Sequence, residues 1–173
     1  MPDPQPLDPQ QQRVVDQIAG FGWMVMQVSP EALSEGPKEW YAFTVGLPQA
    51  FGWPELICFN LDQGVMHHIL NNAVNELRAG KLTPKPGLIL KQTANAMQMK
   101  LLTLPDQDWK PRMRWSTWYA ETVKPAPGGV RCLQLVWPDK AGRFPGDPRC
   151  DKAVAADQTP LQFSPSTPGE VRW

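Results

Sequence analysis

Twenty prolines and 13 glycines are distributed along the 173 residues of this chain, so regular secondary structure is interrupted at short intervals. Proline removes a backbone donor and breaks helix interiors, and glycine loses more conformational freedom on folding than any other residue. The sequence therefore excludes a long coiled coil or a simple helical bundle. Hydrophobic residues nevertheless make up 42% of the chain, which is enough for the core of one domain.

The segments between these breakers have the periodicities of short strands and helices, in the order α-β-β-β-α-β-β-α-β. Consecutive hairpins favour antiparallel pairing, so we predict an α+β fold with a mainly antiparallel sheet and helices packed on one face. Residues 9–150 are predicted to form a single domain and residues 1–8 an N-terminal tail. Residues 151–173 are rich in Pro, Ser, Thr and Gln, and are predicted to form a C-terminal tail that is either free or wrapped over the surface.

Three strands and one helix are assigned in detail from this pattern. Residues 39–47 alternate between bulky and small side chains, which predicts a strand whose small face lies close to a helix or a ligand. Residues 55–61 and 130–137 are also predicted strands, and the second is apolar on both faces, which places it inside the sheet. An N-capping Asp62 before an apolar stripe predicts a helix over residues 63–79.

Polar side chains are predicted to cluster at the ends of these strands. The first two strands are expected to form a hairpin, and strand 130–137 is expected to run parallel to the first. Glu55, Asp139 and Arg143 then converge near Thr44 at one rim of the sheet. Two carboxylates beside an arginine could bind a cationic or sugar-like group or carry out acid–base chemistry. They could equally form a structural ion pair with a turn-capping aspartate.

Gln134 lies between Cys132 and Val136 on an apolar face of its predicted strand, so its amide needs buried hydrogen-bond partners. Two interpretations are open. The amide is either satisfied within the core or contacts a ligand in a pocket.

The formal net charge is zero, which argues against a nucleic-acid binder that relies on bulk charge. The charge is unevenly distributed along the chain. Residues 1–80 carry three basic and nine acidic side chains, residues 81–150 carry twelve and five, and residues 151–173 carry two and three. Either the two larger segments complement each other within the fold, or the second forms a basic face for an anionic ligand or an acidic partner. Such a face would be strongest in the run from Trp109 to Trp115.

Motifs for cofactor, metal or nucleophile chemistry are absent from the sequence, so no cofactor or metal site is predicted. His67 and His68 are the only histidines, and neighbours on a helix diverge by about 100°, so they cannot grip one metal together. We interpret this pair as part of a solvated helix face.

Compartment is predicted from the cysteines and from hydropathy. The three cysteines are odd in number and have no CxxC spacing, so neither a disulfide framework nor a cysteine-based zinc site is expected. The first twelve residues lack the basic and apolar regions of a secretory signal, and no apolar run is long enough to span a bilayer. We therefore expect a cytoplasmic protein that does not engage membranes.

An ordered set of motifs runs through the chain: YAFTVGL at 41–47, FGWPEL at 51–56, LN at 70–71, LQLVWPD at 133–139 and GRFP at 142–145. The set, which covers about residues 10–150, resembles the bacterial family known as domain of unknown function 4262. The resemblance implies a soluble bacterial domain that occurs mainly as a stand-alone protein, and it supplies no reaction. The family usually has histidine where this chain has Trp53, so any acid–base or metal-binding role of that histidine is missing here or performed differently. Packing or stacking at this position is the simpler inference.

Two hypotheses for function follow from these observations. The first is a binding or interaction module with a protein or small-molecule partner, such as a regulatory or immunity-like protein. Its support is the eight tryptophans, of which Trp40, Trp53 and Trp109 are suspected anchors, and the uneven charge. The tryptophan content also fits a homodimer, and a covered core explains it equally well.

The alternative is a small enzyme with a pocket at the strand ends. In that hypothesis Glu55 or Asp139 is the acid–base residue, Arg143 holds an anionic group and Gln134 orients the substrate. Under either hypothesis, the candidate binding residues are Thr44, Trp53, Gln134, Trp137 and Arg143.

Overall fold

The computed structural model describes residues 5–30, 39–94 and 97–160. Within these residues the chain forms six helices: α1 (Pro9–Phe21), α2 (Leu47–Phe51), α3 (Gln63–Ala79), α4 (Asp106–Trp109), α5 (Arg114–Thr122) and α6 (Lys152–Asp157). It also forms six strands: β1 (Met24–Val28), β2 (Tyr41–Val45), β3 (Glu55–Phe59), β4 (Ile89–Ala94), β5 (Met97–Thr103) and β6 (Cys132–Val136).

All six strands belong to one sheet, in the order β1-β2-β3-β6-β5-β4. Every pairing is antiparallel except that of β3 with β6, which is parallel. The predicted α+β class, the mainly antiparallel sheet and the internal position of the strand around residue 134 are confirmed. The parallel pair is joined by the long connection over residues 60–131, which contains α3, the β4–β5 hairpin, α4 and α5.

Helices cover both faces of the sheet, so the expectation of helices on one face is wrong. On the α3 face, strand residues such as Ala42, Leu56 and Leu133 pack against α3. On the opposite face, here called the α5 face, alternate residues such as Phe43 and Ile57 pack against α1, α4 and α5. The reason is that every residue of β2, β3 and β6 is buried, and a strand that is apolar on both sides needs cover on both.

The helix predicted over residues 63–79 is confirmed with the same limits. Its N-cap is Asp62, whose side chain accepts hydrogen bonds from the backbone N–H groups of Gly64 and Val65. Six residues of its inner face are buried: Met66, Ile69, Leu70, Ala73, Val74 and Leu77. No helix in the described part of the chain is both long and apolar enough to cross a bilayer.

Gly46 allows the chain to turn directly from β2 into α2. Its φ is +109°, and a Cβ built there would lie 3.3 Å from the carbonyl oxygen of Gly22 and 3.3 Å from Cγ2 of Ile18. A side chain at this position is therefore strained by the backbone and also crowds α1.

We expect Gly46→Ala to lower the free energy of unfolding by about 1–3 kcal/mol, because alanine must adopt a positive φ against close neighbours. Urea unfolding followed by tryptophan fluorescence measures the change. Gly20→Ala is the matched control, because Gly20 lies within α1 and a Cβ there meets nothing within 4 Å. That control is expected to be neutral or to stabilise by up to about 1 kcal/mol. Equal losses in the two variants would contradict this account of Gly46.

Candidate functional site

Glu55 begins β3, and its carboxylate is buried at the N-terminus of α2. Oε2 accepts a hydrogen bond from Gly46 N at 2.9 Å, and Oε1 accepts from Leu47 N at 3.1 Å and from Thr44 Oγ1 at 2.9 Å. Burial raises the pKa of Glu55 to about 7, against the opposing effect of these hydrogen bonds. The carboxylate therefore fixes the turn between β2 and α2.

Thr44 connects this carboxylate to its surroundings, and the expected proximity of Thr44 and Glu55 is observed. Besides donating to Glu55, Thr44 Oγ1 accepts a hydrogen bond from Leu56 N at 2.9 Å. Its carbonyl oxygen accepts from Ser116 Oγ of α5 at 3.0 Å. The cluster joins β2, β3, α2 and α5 through buried hydrogen bonds, which is the geometry of a structural anchor.

Asp139 organises the loop that follows β6. Oδ1 accepts hydrogen bonds from the backbone N–H groups of Ala141 and Arg143, each at 2.9 Å, and Oδ2 accepts from Asp151 N at 2.9 Å. The Nε atom of Arg143 lies 3.5 Å from Oδ2. The hydrogen bonds from the backbone of Arg143 and Asp151 hold the pKa of Asp139 below its usual value.

The predicted convergence of Glu55, Asp139 and Arg143 at one rim is wrong. Strand β6 is parallel to β3, and β3 is antiparallel to β2, so β6 runs opposite to the direction expected for it. Glu55 is the register partner of Cys132 at the start of β6, whereas Asp139 lies beyond its end. From its first to its last residue, β6 alone spans about 13 Å. The two carboxylates therefore lie at opposite ends of the strands.

Gln134 and Trp137 are hydrogen-bonded to Gln158, which lies in the segment after the Asp139 loop. The Gln134 side-chain amide donates a hydrogen bond to the carbonyl oxygen of Gln158. The Gln158 side chain accepts from Trp137 N at 2.8 Å and donates to Trp137 O at 2.9 Å. Of the two interpretations of Gln134, the structure supports an amide that is hydrogen-bonded within the core. The predicted C-terminal tail is packed on the domain as far as residue 160, and its remaining residues, 161–173, lie outside the described residues.

Trp53 is a half-buried member of an aromatic row built from the two FGW triplets of the sequence. Successive ring centroids are 5.1 Å apart from Phe21 to Trp23, 5.9 Å from Trp23 to Phe51 and 4.4 Å from Phe51 to Trp53. The guanidinium of Arg78 lies 5.6 Å from the Trp23 ring and 5.3 Å from the Phe51 ring. Trp53 therefore stacks within the fold.

The other suspected anchors have different environments. Trp40 is partly exposed at the edge where β2 begins. Trp109 is buried, and its Nε1 donates a hydrogen bond to Asp106 at 3.1 Å.

The basic run around Trp109 does not form a continuous basic face, because Arg112 points inward and forms a buried ion pair with Glu39. Lys110 and Arg114 line a cavity of about 790 Å³ between α5 and residues 125–130, and Glu121 lines the same cavity. Lys110 also pairs with Asp106 at 3.3 Å. The lining of this cavity therefore carries charges of both signs.

A second cavity, of about 530 Å³, lies between the N-terminal half of α3 and the β4–β5 hairpin. Its lining, which defines the α3 cavity, is Leu61, Asp62, Gly64, Val65, His68, Ile69, Asn72, Thr93 and Met97. Val65 and Met97 are 45% and 37% exposed, and they are two of the four large hydrophobic side chains exposed in the described residues. Trp40, a third, lines an adjoining cavity that shares Leu61 and Asp62 with this one.

None of the predicted site residues lines the α3 cavity. One signal in the sequence pointed towards it, because Val65 is apolar but lies outside the apolar stripe of its helix. His67 and His68 are both exposed on α3, as expected for a solvated face. Among the described residues, no group of three or more histidine, cysteine, aspartate or glutamate side chains is placed to hold a metal ion.

A family model described as "Domain of unknown function (DUF4262)" matches residues 17–151 of the chain. Neither a curated protein nor a solved structure matches it.

Proposed function

The chain belongs to the DUF4262 family, and we propose that it is a binding module that holds a small, mainly apolar molecule in the α3 cavity without converting it. The observation that carries this proposal is the position of Val65 and Met97 at the cavity. Leaving large apolar side chains in water is unfavourable, and exposed apolar groups gathered at one concave place are typical of binding sites. The cavity volume falls within the usual range for small-molecule pockets.

The proposed enzyme alternative has weaker support. It places Glu55 or Asp139 in one strand-end pocket with Arg143, whereas Glu55 lies at the opposite end of the strands from Asp139 and Arg143. All four carboxylate oxygens of Glu55 and Asp139 accept hydrogen bonds from neighbouring backbone or side-chain donors. This pattern favours structural roles for both residues.

A cytoplasmic location forms part of the proposal. Cys58, Cys132 and Cys150 are all buried and free. Free buried cysteines are typical of proteins in a reducing compartment.

Methyl resonances of the seven methionines provide a test of the binding site. We expect p-cresol, at millimolar concentration, to shift the ¹³C-methyl resonance of Met97 saturably and to leave that of Met113 unchanged. Met113 is fully buried on the α5 face, and so reports on non-specific effects across the sheet. Val65→Glu is expected to weaken binding at least about tenfold, because it places a charge at the cavity that an apolar ligand cannot pair.

Phe21→Glu is the matched control, because it replaces another exposed apolar side chain away from the cavity lining. It is expected to leave the p-cresol titration unchanged. Shifts of equal size at Met97 and Met113, or no saturable shift at Met97, would contradict the proposal. A bound protein that is released by Val65→Glu, without p-cresol binding, would instead assign this surface to a protein partner.

A further inference from the structure

The wall of the α3 cavity contains a buried hydroxyl that has no hydrogen-bond partner among the described residues. Thr93 is fully buried and lines the cavity, and within residues 5–30, 39–94 and 97–160 its Oγ1 makes no hydrogen bond. Buried polar groups are normally paired, and an unpaired hydroxyl destabilises the fold. A ligand that supplies the missing hydrogen-bond partner would therefore stabilise the protein.

The backbone holds Thr93 in this position. The register of β4 with β5 shifts between the pairs Leu90–Met99 and Ala94–Met97, so Thr93 lies in an irregular stretch where three residues of β4 oppose one of β5. The side chain of Asn72 on α3 donates a hydrogen bond to the carbonyl oxygen of Thr93 at 3.1 Å. Extra residues in one strand of a pair commonly redirect side chains beside binding sites. Here, the irregular stretch and the Asn72 contact fix Thr93 against α3.

The surrounding groups restrict the kind of ligand. Leu61, Val65, Ile69 and Met97 make much of the lining apolar. The Asp62 carboxylate already accepts hydrogen bonds from the first turn of α3, and its negative charge disfavours an anion at the same cavity. A cation placed against buried Thr93 would lose its hydration, and the Asp62 carboxylate compensates little for that loss because it is exposed and its charge is screened by solvent.

We infer that the α3 cavity selects a neutral molecule with an apolar body and a hydroxyl or carbonyl group that hydrogen-bonds to Thr93 Oγ1. This inference rests on the proposed function and adds the chemical class of the ligand. The Thr93 hydroxyl can act as either donor or acceptor, so both groups are compatible with it.

The test compares p-cresol with toluene, which lacks the hydroxyl, by titration of the Met97 methyl resonance. Wild-type protein is expected to bind p-cresol about tenfold more tightly than toluene, a difference typical of one hydrogen bond. Toluene is the more hydrophobic probe, so apolar burial alone would give the opposite order.

Thr93→Val removes the hydroxyl while preserving the shape of the side chain. We expect this variant to lose the preference for p-cresol and to melt at the same or a higher temperature than wild type, because it no longer buries an unpaired hydroxyl. Thr93→Ser retains the hydroxyl and is expected to retain the preference for p-cresol. This variant keeps the proposal testable if Thr93→Val fails to fold. Equal affinities of wild type for both probes at Met97 would overturn the ligand class and leave the binding function standing. Absence of both probes from the cavity would overturn the binding function as well.

Discussion

The free energy of unfolding is expected to fall by about 3 kcal/mol through Glu55 as the pH rises from about 4.5 to about 7. In the folded protein, burial raises the pKa of Glu55 from 4.5 to about 7. The unfolded chain therefore releases this proton at lower pH than the folded chain does. Within that window the native state binds more protons, and stability decreases as the pH rises. Urea unfolding at pH values on either side of the window measures the effect.

Glu55→Gln is expected to remove this pH dependence. Both carboxylate oxygens accept a backbone N–H, one from Gly46 and one from Leu47, so a glutamine NH₂ must face one of these donors in either orientation. At about pH 5 the variant is expected to be less stable than wild type by about 1–3 kcal/mol, the cost of one unsatisfied buried N–H. The difference should close or reverse by about pH 8, where wild type has lost the stability linked to its proton.

Glu121→Gln is the control for this comparison, because Glu121 is exposed on α5. This variant is expected to keep the slope of wild type between the two pH values. A Glu55→Gln variant with the same slope as wild type would show that another group titrates in this window.

The same cluster shows how far the sequence could predict the site. Thr44 and Glu55 belong to consecutive strands joined by a short connection, so local pattern was sufficient to place them together. The position of Asp139 depends on the direction of β6, which follows a connection of more than 70 residues over positions 60–131. That direction is set by the packing of the whole connection, so strand periodicity alone cannot determine it.

Features that depend on residues close together in the sequence could be predicted, and features that depend on strand pairing could not. The helix over residues 63–79 is determined by its N-cap and apolar stripe, and its limits were predicted correctly. The exposure of Met97 and the unpaired hydroxyl of Thr93 depend on a register shift between two strands. The sequence contains no signal for that shift, so beyond the off-stripe position of Val65 the α3 cavity is apparent from the structure and not from the sequence.

Arg112 illustrates the same limit for charge, because the sequence places it in a basic run and the structure buries it. Its Nε donates to the Glu39 carboxylate, and only 2% of either side chain is exposed. Its guanidinium also lies 5.5 Å from the centre of the Phe59 ring, and its Nη1 donates to the carbonyl oxygen of Asp108. The charge of Arg112 therefore neutralises a buried carboxylate and cannot contact a ligand at the surface.

Arg112→Leu is accordingly expected to lower the free energy of unfolding by about 3–5 kcal/mol, because it leaves the Glu39 carboxylate buried without its cation. The double variant Arg112→Leu/Glu39→Leu should recover most of this loss, since it removes both charges and retains apolar volume. Arg149→Leu is the control, because Arg149 pairs with Asp147 at an exposed position where solvent screens the pair, and its loss should be much smaller. Urea unfolding followed by tryptophan fluorescence compares the variants.

A loss from Arg112→Leu as small as that of the control would mean that the buried pair contributes little. Recovery in the double variant would instead show that the large single-variant loss comes from the isolated carboxylate, and that this part of the basic run serves the fold.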